Sequence, residues 1–192
     1  MERPPWSIDH TWTLFLDRDG VINQRIPGDY VKSWEDFHFC KGSLESIVHL
    51  SLHFGRLIVV TNQQGIGKGL MEVSALENIH QRLKQEITQQ GGRLDAIYYC
   101  PDLANTDSTC RKPQPGMAWQ AKSEFPKIDF HRSLMVGDSI SDMNFAKQLG
   151  MKTVFIEGKL EEEKQSRLMH FDLRLAALAE LPPLLVYPEK RL

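Results

Sequence analysis

Short apolar runs alternate with helix-patterned segments along most of this chain, and no other feature restricts the fold so tightly. Strand-like runs lie at residues 12–16, 56–60, 94–99, 133–136 and 152–156. Helical patterning covers residues 43–54, 73–89, 115–124 and 140–149. Ser43 reads as the N-cap of the first helix and Gly55 as its stop. Leu76, Ile79, Leu83 and Ile87 recur on one face of the second, before Gly91 and Gly92 end it. A last short helix is expected around residues 175–181, ahead of Pro182 and Pro183. Strands and helices taking turns in this way predict a mainly parallel sheet covered on both faces, a Rossmann-like three-layer α/β/α sandwich. Residues 1–11 read as an irregular lead-in. Residues 160–168 are polar, with Glu163 and Arg167 spaced to pair on a solvated face. No repeat or linker divides the chain, and its 192 residues suit one domain.

Composition removes several function classes. Hydrophobic residues at 41% and charged residues at 25% are ordinary for a globular protein. A net charge of -2 and the lack of any basic run argue against nucleic acid as a partner. The longest aliphatic strand-like run, Leu57 to Val60, is far too short to span a bilayer. Met1 to Trp6 lacks the apolar segment of a secretory signal, and Cys40, Cys100 and Cys110 do not make a disulfide framework. The expectation is a cytoplasmic monomer without a membrane partner.

In open parallel sheets, ligands sit beyond the carboxyl ends of the strands. Leu14-Phe15-Leu16 runs straight into Asp17-Arg18-Asp19-Gly20. On extended chain Asp17 and Asp19 can face one side. An acidic turn would account for that pair alone. It does not account for Thr61 and Asn62 after the second strand, Asp138 after the fourth, and Lys112 in the loop after the third. Asp17, Asp19 and Asp138 repel one another unless a cation sits among them, and carboxylate oxygens without neighbouring His or Cys suit Mg²⁺. Thr61, Asn62 and Lys112 add donors and positive charge. Such a set suits a phosphoryl group, toward which a carboxylate can act as nucleophile. Gly65-Ile66-Gly67-Lys68-Gly69 lacks the spacing of a nucleotide-binding P-loop and reads as a flexible turn bordering the site.

Asp17-Arg18-Asp19-Gly20, Thr61-Asn62, Lys112 and Gly137-Asp138-Ser139-Ile140-Ser141-Asp142 resemble, in order, the four motifs of the haloacid dehalogenase (HAD) phosphohydrolase superfamily. Longer stretches resemble one branch of it: Asp17-Arg18-Asp19-Gly20-Val21-Ile22-Asn23, Thr61 through Gly69, Tyr98-Tyr99-Cys100-Pro101 and Cys110-Arg111-Lys112-Pro113. That branch holds the D-glycero-D-manno-heptose bisphosphate and histidinol-phosphate phosphatases, and the likeness runs from about residue 12 to Gly158. The resemblance implies a HAD-like fold and Mg²⁺-dependent hydrolysis of a small phosphorylated metabolite. Asp17 would attack phosphorus, and Asp19 would serve as acid and base. Asp17, the backbone carbonyl of Asp19 and Asp138 would hold Mg²⁺. Thr61 and Lys112 would stabilise the transferring group, and Asp142 would orient Lys112. Asn23, Asn62, Gln63 and Arg111 would meet the substrate. Only a loop and one helix separate Asp19 from Thr61, so no cap domain fits there. Closure is expected from residues 24–34 and 100–110.

The chain departs from its branch in one loop. Relatives hold a structural zinc with C-x-H and C-x-C; the matching positions here are Cys100, Asp102, Ser108 and Cys110. Ser108 is a poor zinc ligand, so zinc is not expected. The loop could be ordered by its own packing, or Cys100 and Cys110 could pair if it brings them together, although a reducing cytoplasm disfavours that bond. The short step from Cys100 to Cys110 resembles the histidinol-phosphate enzymes, whereas a chain of this size standing alone resembles the heptose enzymes. A sugar bisphosphate leads as substrate, with histidinol phosphate or another sugar phosphate as the alternative. A non-catalytic sensor of a phosphorylated ligand is the reading from another class, and the acid at Asp19 argues against it. No histidine stands in a motif, and Trp34 and Phe37 read as loop aromatics that either pack or line the pocket.

Overall fold

The computed structural model describes residues 4, 6–158 and 169–187. The polar segment 160–168, with the pairing expected of Glu163 and Arg167, lies outside the described residues. Six strands form one parallel sheet: β1 (Thr13–Leu16), β2 (Arg56–Asn62), β3 (Ala96–Cys100), β4 (Ser133–Gly137), β5 (Lys152–Ile156) and β6 (Leu173–Leu175), in the order β3-β2-β1-β4-β5-β6. The helices are α1 (Ser43–Ser51), the single turn α2 (Gln64–Gly67), α3 (Val73–Gln89), α4 (Gly116–Glu124) and α5 (Ile140–Gln148).

The central stretches of the strands are apolar because both of their faces are covered. Along β1, Leu14 and Leu16 pack into one core with Leu57, Val59, Leu134 and Val136, beneath Ile47 and Leu50 of α1 and Leu76, Ile79, Leu83 and Ile87 of α3. Phe15 points the other way, joining Ile58, Val60 and Met135 against Met117, Ala118 and Ala121 of α4 and Met143, Phe145 and Ala146 of α5. Successive strand residues face opposite layers, and each buried Leu or Phe is worth roughly 1.5–3 kcal/mol. The α/β/α sandwich expected from the alternation is thus what forms. The first eleven residues are irregular where described, yet anchored: Ile8 N–H donates to the Val186 carbonyl at 2.8 Å, and Trp6 and Ile8 are buried. No helix among the described residues is long and apolar enough to cross a membrane.

Three local expectations are corrected. The helix expected at 175–181 is instead the edge strand β6 followed by short 3₁₀ turns at Leu178–Glu180 and Pro182–Leu184. Leu173 pairs with Val154 and Leu175 with Ile156, and that tertiary pairing outweighs the three-residue spacing of Leu175, Leu178 and Leu181. Ser43 is the first helical residue of α1 rather than its cap; Gly42 caps in the left-handed conformation at φ 72°, and the Ser43 hydroxyl donates to the Ile22 carbonyl at 2.7 Å. The glycine-rich segment is not a flexible turn. It winds into α2, and a Cβ on Gly67 would stand 2.5 Å from the Pro101 carbonyl oxygen. Of the alternatives left open for the loop after β3, the structure shows the pairing: Cys100 and Cys110 are joined by a disulfide, with their Cα atoms 5.6 Å apart.

This topology positions the site. From β1 the chain goes to β2 on one side, whereas from β4, on the other side of β1, it goes to β5, so a crevice opens between β1 and β4 where those connections diverge. Asp17 follows β1 and Asp138 follows β4, at that crevice.

Candidate active site

Asp17 follows β1 directly, with its backbone N–H bonded to the Val136 carbonyl at 2.9 Å. Its side chain is buried, and Lys112 Nζ donates to its Oδ1 at 2.7 Å. The same ammonium donates to the Val60 carbonyl at 2.7 Å and lies 2.6 Å from Asp142 Oδ1. Three acceptors thus match the three protons of the Lys112 ammonium. Burial works against that charge, but Asp142 and Asp17 outweigh it and hold the lysine protonated above its ordinary range.

Asp142 owes its position to helix start chemistry. Ser139 Oγ accepts from the Asp142 N–H at 3.2 Å, while Asp142 Oδ2 accepts from the Ser139 N–H at 3.1 Å, a reciprocal capping box at the head of α5. Asn62, at the end of β2, clamps the backbone of Lys112: its Oδ1 accepts from the Lys112 N–H at 3.0 Å and its Nδ2 donates to the Lys112 carbonyl at 3.2 Å. The sequence expected Asn62 on substrate. It does border the cavity, but its amide is committed to the lysine.

Asp19 is held differently. Its carboxylate accepts from Arg18 Nη2 at 2.9 Å, from Asn23 Nδ2 at 2.9 Å and from Gln63 Nε2 at 2.9 Å. Burial pushes its carboxyl up, yet the Arg18 charge and these bonds prevail and hold it below the usual range. Asp17 goes the opposite way. Burial, reinforced by the neighbouring charges of Asp142 and Asp138, pushes it up to about 7 despite Lys112 and Arg25. Asn23 and Gln63, both expected on substrate, stand buried behind Asp19 instead of on the cavity wall. Gln63 also donates to Thr61 Oγ1 at 2.8 Å, which fixes that hydroxyl beside the cavity.

Two arginines escaped the sequence reading. Arg18 is wholly buried against His80, whose Nε2 lies 3.3 Å from Arg18 Nη1. Arg25 reaches across to Asp138, Nε to Oδ2 at 2.6 Å and Nη2 to Oδ1 at 2.5 Å, with Asp17 Oδ2 at 3.7 Å. The signal for Arg18 was present, an arginine between two strand-end aspartates. Arg25 had none, because its partner lies far along the chain.

Oxygens of Asp17, Asp138 and Asp142 lie within 4.8 Å of one another. Two of these hard donors, Asp17 and Asp138, already draw the guanidinium of Arg25, and the set fits a magnesium ion. The Asp19 side chain stands outside this group, so any share it has in a metal falls to its backbone carbonyl. The cavity above measures about 850 Å³ and is lined further by Gln24, Tyr30, Arg111 and Glu157. Arg111 borders it with Nη1 donating to the Asp102 carbonyl at 3.0 Å. Residues 24–31 form one wall, whereas none of residues 100–110, the second stretch expected to close over substrate, lines the cavity. Trp34 does not line the cavity: it stacks on Phe37 at 4.9 Å and packs into the core. At the loop before Arg111 the two sulfurs are joined, and ligand atoms of Cys100, Asp102 and Cys110 lie within 4.8 Å of one another.

Residues 109–181 match the HAD-hydrolase-like family. A D-glycero-alpha-D-manno-heptose-1,7-bisphosphate 7-phosphatase of Mycobacterium tuberculosis is 39% identical over 137 residues, 71% of this chain and 72% of that protein. A D-glycero-beta-D-manno-heptose-1,7-bisphosphate 7-phosphatase of Photorhabdus laumondii is 36% identical over 183 residues, covering 88% and 92%. Among solved structures, a D,D-heptose 1,7-bisphosphate phosphatase from B. bronchiseptica, complexed with magnesium and phosphate, superposes with a TM-score of 0.81 at 30% identity, over 90% of this chain and 96% of that one.

Proposed function

The chain belongs to the haloacid dehalogenase superfamily, in its heptose-bisphosphate phosphatase branch, and on that premise we propose that it is a Mg²⁺-dependent phosphatase of a D-glycero-D-manno-heptose 1,7-bisphosphate. The observation that carries this reading is the Asp17 carboxylate, set at the crevice between β1 and β4 with Lys112 at 2.7 Å and Asp138 beside it. The cavity of about 850 Å³ has room for a sugar bearing two phosphates.

In this mechanism an Asp17 oxygen attacks phosphorus as the bond to the sugar oxygen breaks, giving an aspartyl phosphate. Asp19 protonates the departing oxygen, then takes a proton from the water that cleaves the intermediate. Arg18, Asn23 and Gln63 hold the Asp19 carboxylate while it is ionised, which suits the second step; the first requires one of those bonds to yield to a proton. Lys112 and Thr61 present a charge and a hydroxyl to the phosphoryl oxygens. Asp17 and Asp138, with the Asp19 backbone carbonyl, would hold Mg²⁺, which when bound neutralises the phosphoryl group. The protein is further taken to be a cytoplasmic monomer folded as one domain.

The test is phosphate release with Mg²⁺ on both anomers of heptose 1,7-bisphosphate and on histidinol phosphate, with Asp17→Asn as the blank. A preference for one heptose anomer of about a hundredfold in kcat/KM, worth ~2.7 kcal/mol, is expected. Slow, Asp17-dependent turnover of all three would move the substrate elsewhere, and no release above the blank would leave a binding protein.

A further inference from the structure

We propose that Cys100 and Cys110 form a thiol-exchange site, at which a low-molecular-weight thiol or disulfide covalently sets how firmly the loop carrying Arg111 is held. The bond ties the last residue of β3 to the residue immediately before Arg111. Its two sulfurs are unequal: Cys100 is fully buried, whereas Cys110 is partly exposed. An external thiolate can therefore reach only Cys110. Attack there forms a mixed disulfide as the S–S bond breaks, and Cys100 leaves as a thiolate that takes the incoming thiol's proton. A second thiol then attacks the small-molecule sulfur and frees Cys110 as a thiol. Two thiols supply two electrons and two protons and depart as one disulfide; a small-molecule disulfide runs the sequence backward.

Both redox states have polar partners. Ser108 Oγ lies 3.5 Å from each sulfur, and Asp102 Oδ2 lies 3.5 Å from Cys110 Sγ, placed to accept from the reduced thiol.

The consequence follows from where the neighbouring residues are anchored. Arg111 hangs on the stapled loop, its N–H donating to Ser108 Oγ at 2.9 Å and its Nη1 to the Asp102 carbonyl at 3.0 Å. Lys112 is anchored outside the loop, by Asn62, Val60, Asp17 and Asp142. Opening the bond loosens the substrate-facing arginine and leaves the lysine at the nucleophile in place. Reduction should therefore raise KM and leave kcat unchanged.

The experiment begins with a thiol count in denaturant after equilibration with glutathione disulfide, followed by reduction. One free thiol, Cys40, should become three. Metal analysis of the reduced protein should find no stoichiometric zinc. With Mg²⁺ and the heptose bisphosphate, reduction should raise KM about fivefold or more at constant kcat. Cys110→Ser should match the reduced enzyme and lose the response, and its melting curve will show whether it is folded. Three free thiols after oxidation, stoichiometric zinc, or a KM blind to redox state would each overturn the proposal. The kinetic arm rests on the phosphatase reading, but the thiol and zinc measurements do not, so the two can fail separately.

Discussion

At the scale of single residues, the site is a set of charges that only make sense together. Gly20 shows how closely they are packed: its φ is 95°, and a Cβ there would stand 2.0 Å from Asp138 Oδ2. Gly20→Ala should cost about 1–2 kcal/mol in backbone strain and displace Asp138, which a melting curve and a Mg²⁺ titration would both register. Asp142→Asn removes a buried charge partner of Lys112 and half of a capping box, so a loss of roughly 3–5 kcal/mol in urea unfolding is expected. Arg25→Ala should tighten Mg²⁺ binding by calorimetry, because the guanidinium competes for the same two carboxylates. Asp17, Thr61 and Asp138 were legible in the sequence because each follows an apolar run at a strand end, and Lys112 because it stands in a motif of the loop after the third strand. Asn23 and Gln63 were legible as site residues but not by role. Their spacing from Asp19 and Thr61 says nothing about which side of a carboxylate they approach.

Elements were legible where a pattern was long. The seventeen residues of α3 were read with their bounds, since four apolar residues mark its buried face. Leu83→Ala, removing one of them, should cost roughly 2–5 kcal/mol in urea unfolding. The three residues of β6 were misread because so short a strand has no periodicity of its own. Helix α3 also carries His80 to Arg18, a contact that no local pattern announces. A guanidinium only donates, so His80 Nε2 accepts and the ring is neutral. Burial first, then the Arg18 charge, pushes the imidazole down from 6.5 to about 3. Below pH 6.5 the unfolded chain gains a proton that the native one refuses, so stability falls with falling pH down to about 3. Between pH 7 and 5 this linkage amounts to about 2 kcal/mol. His80→Gln should remove that part of the pH dependence in paired urea titrations, and an unchanged slope would contradict the neutral histidine.

For the whole molecule, alternation of strands and helices was enough to specify a parallel sheet with two covered faces. Strand order was not legible, because it depends on which way each crossover turns. That order decides the chemistry, since it places β1 between β2 and β4 and brings Asp17, Thr61 and Asp138 to one crevice. The central claim is that Asp17 is the nucleophile there. The most direct measurement is to mix the enzyme rapidly with Mg²⁺ and heptose 1,7-bisphosphate, quench in acid, and reduce with borohydride, which converts an aspartyl phosphate to homoserine. Peptide mass spectrometry should then find homoserine at position 17 in the wild-type protein and none in Asp17→Asn. Modification at another carboxylate, or turnover with no trapped residue while Asp17→Asn stays active, would contradict the account.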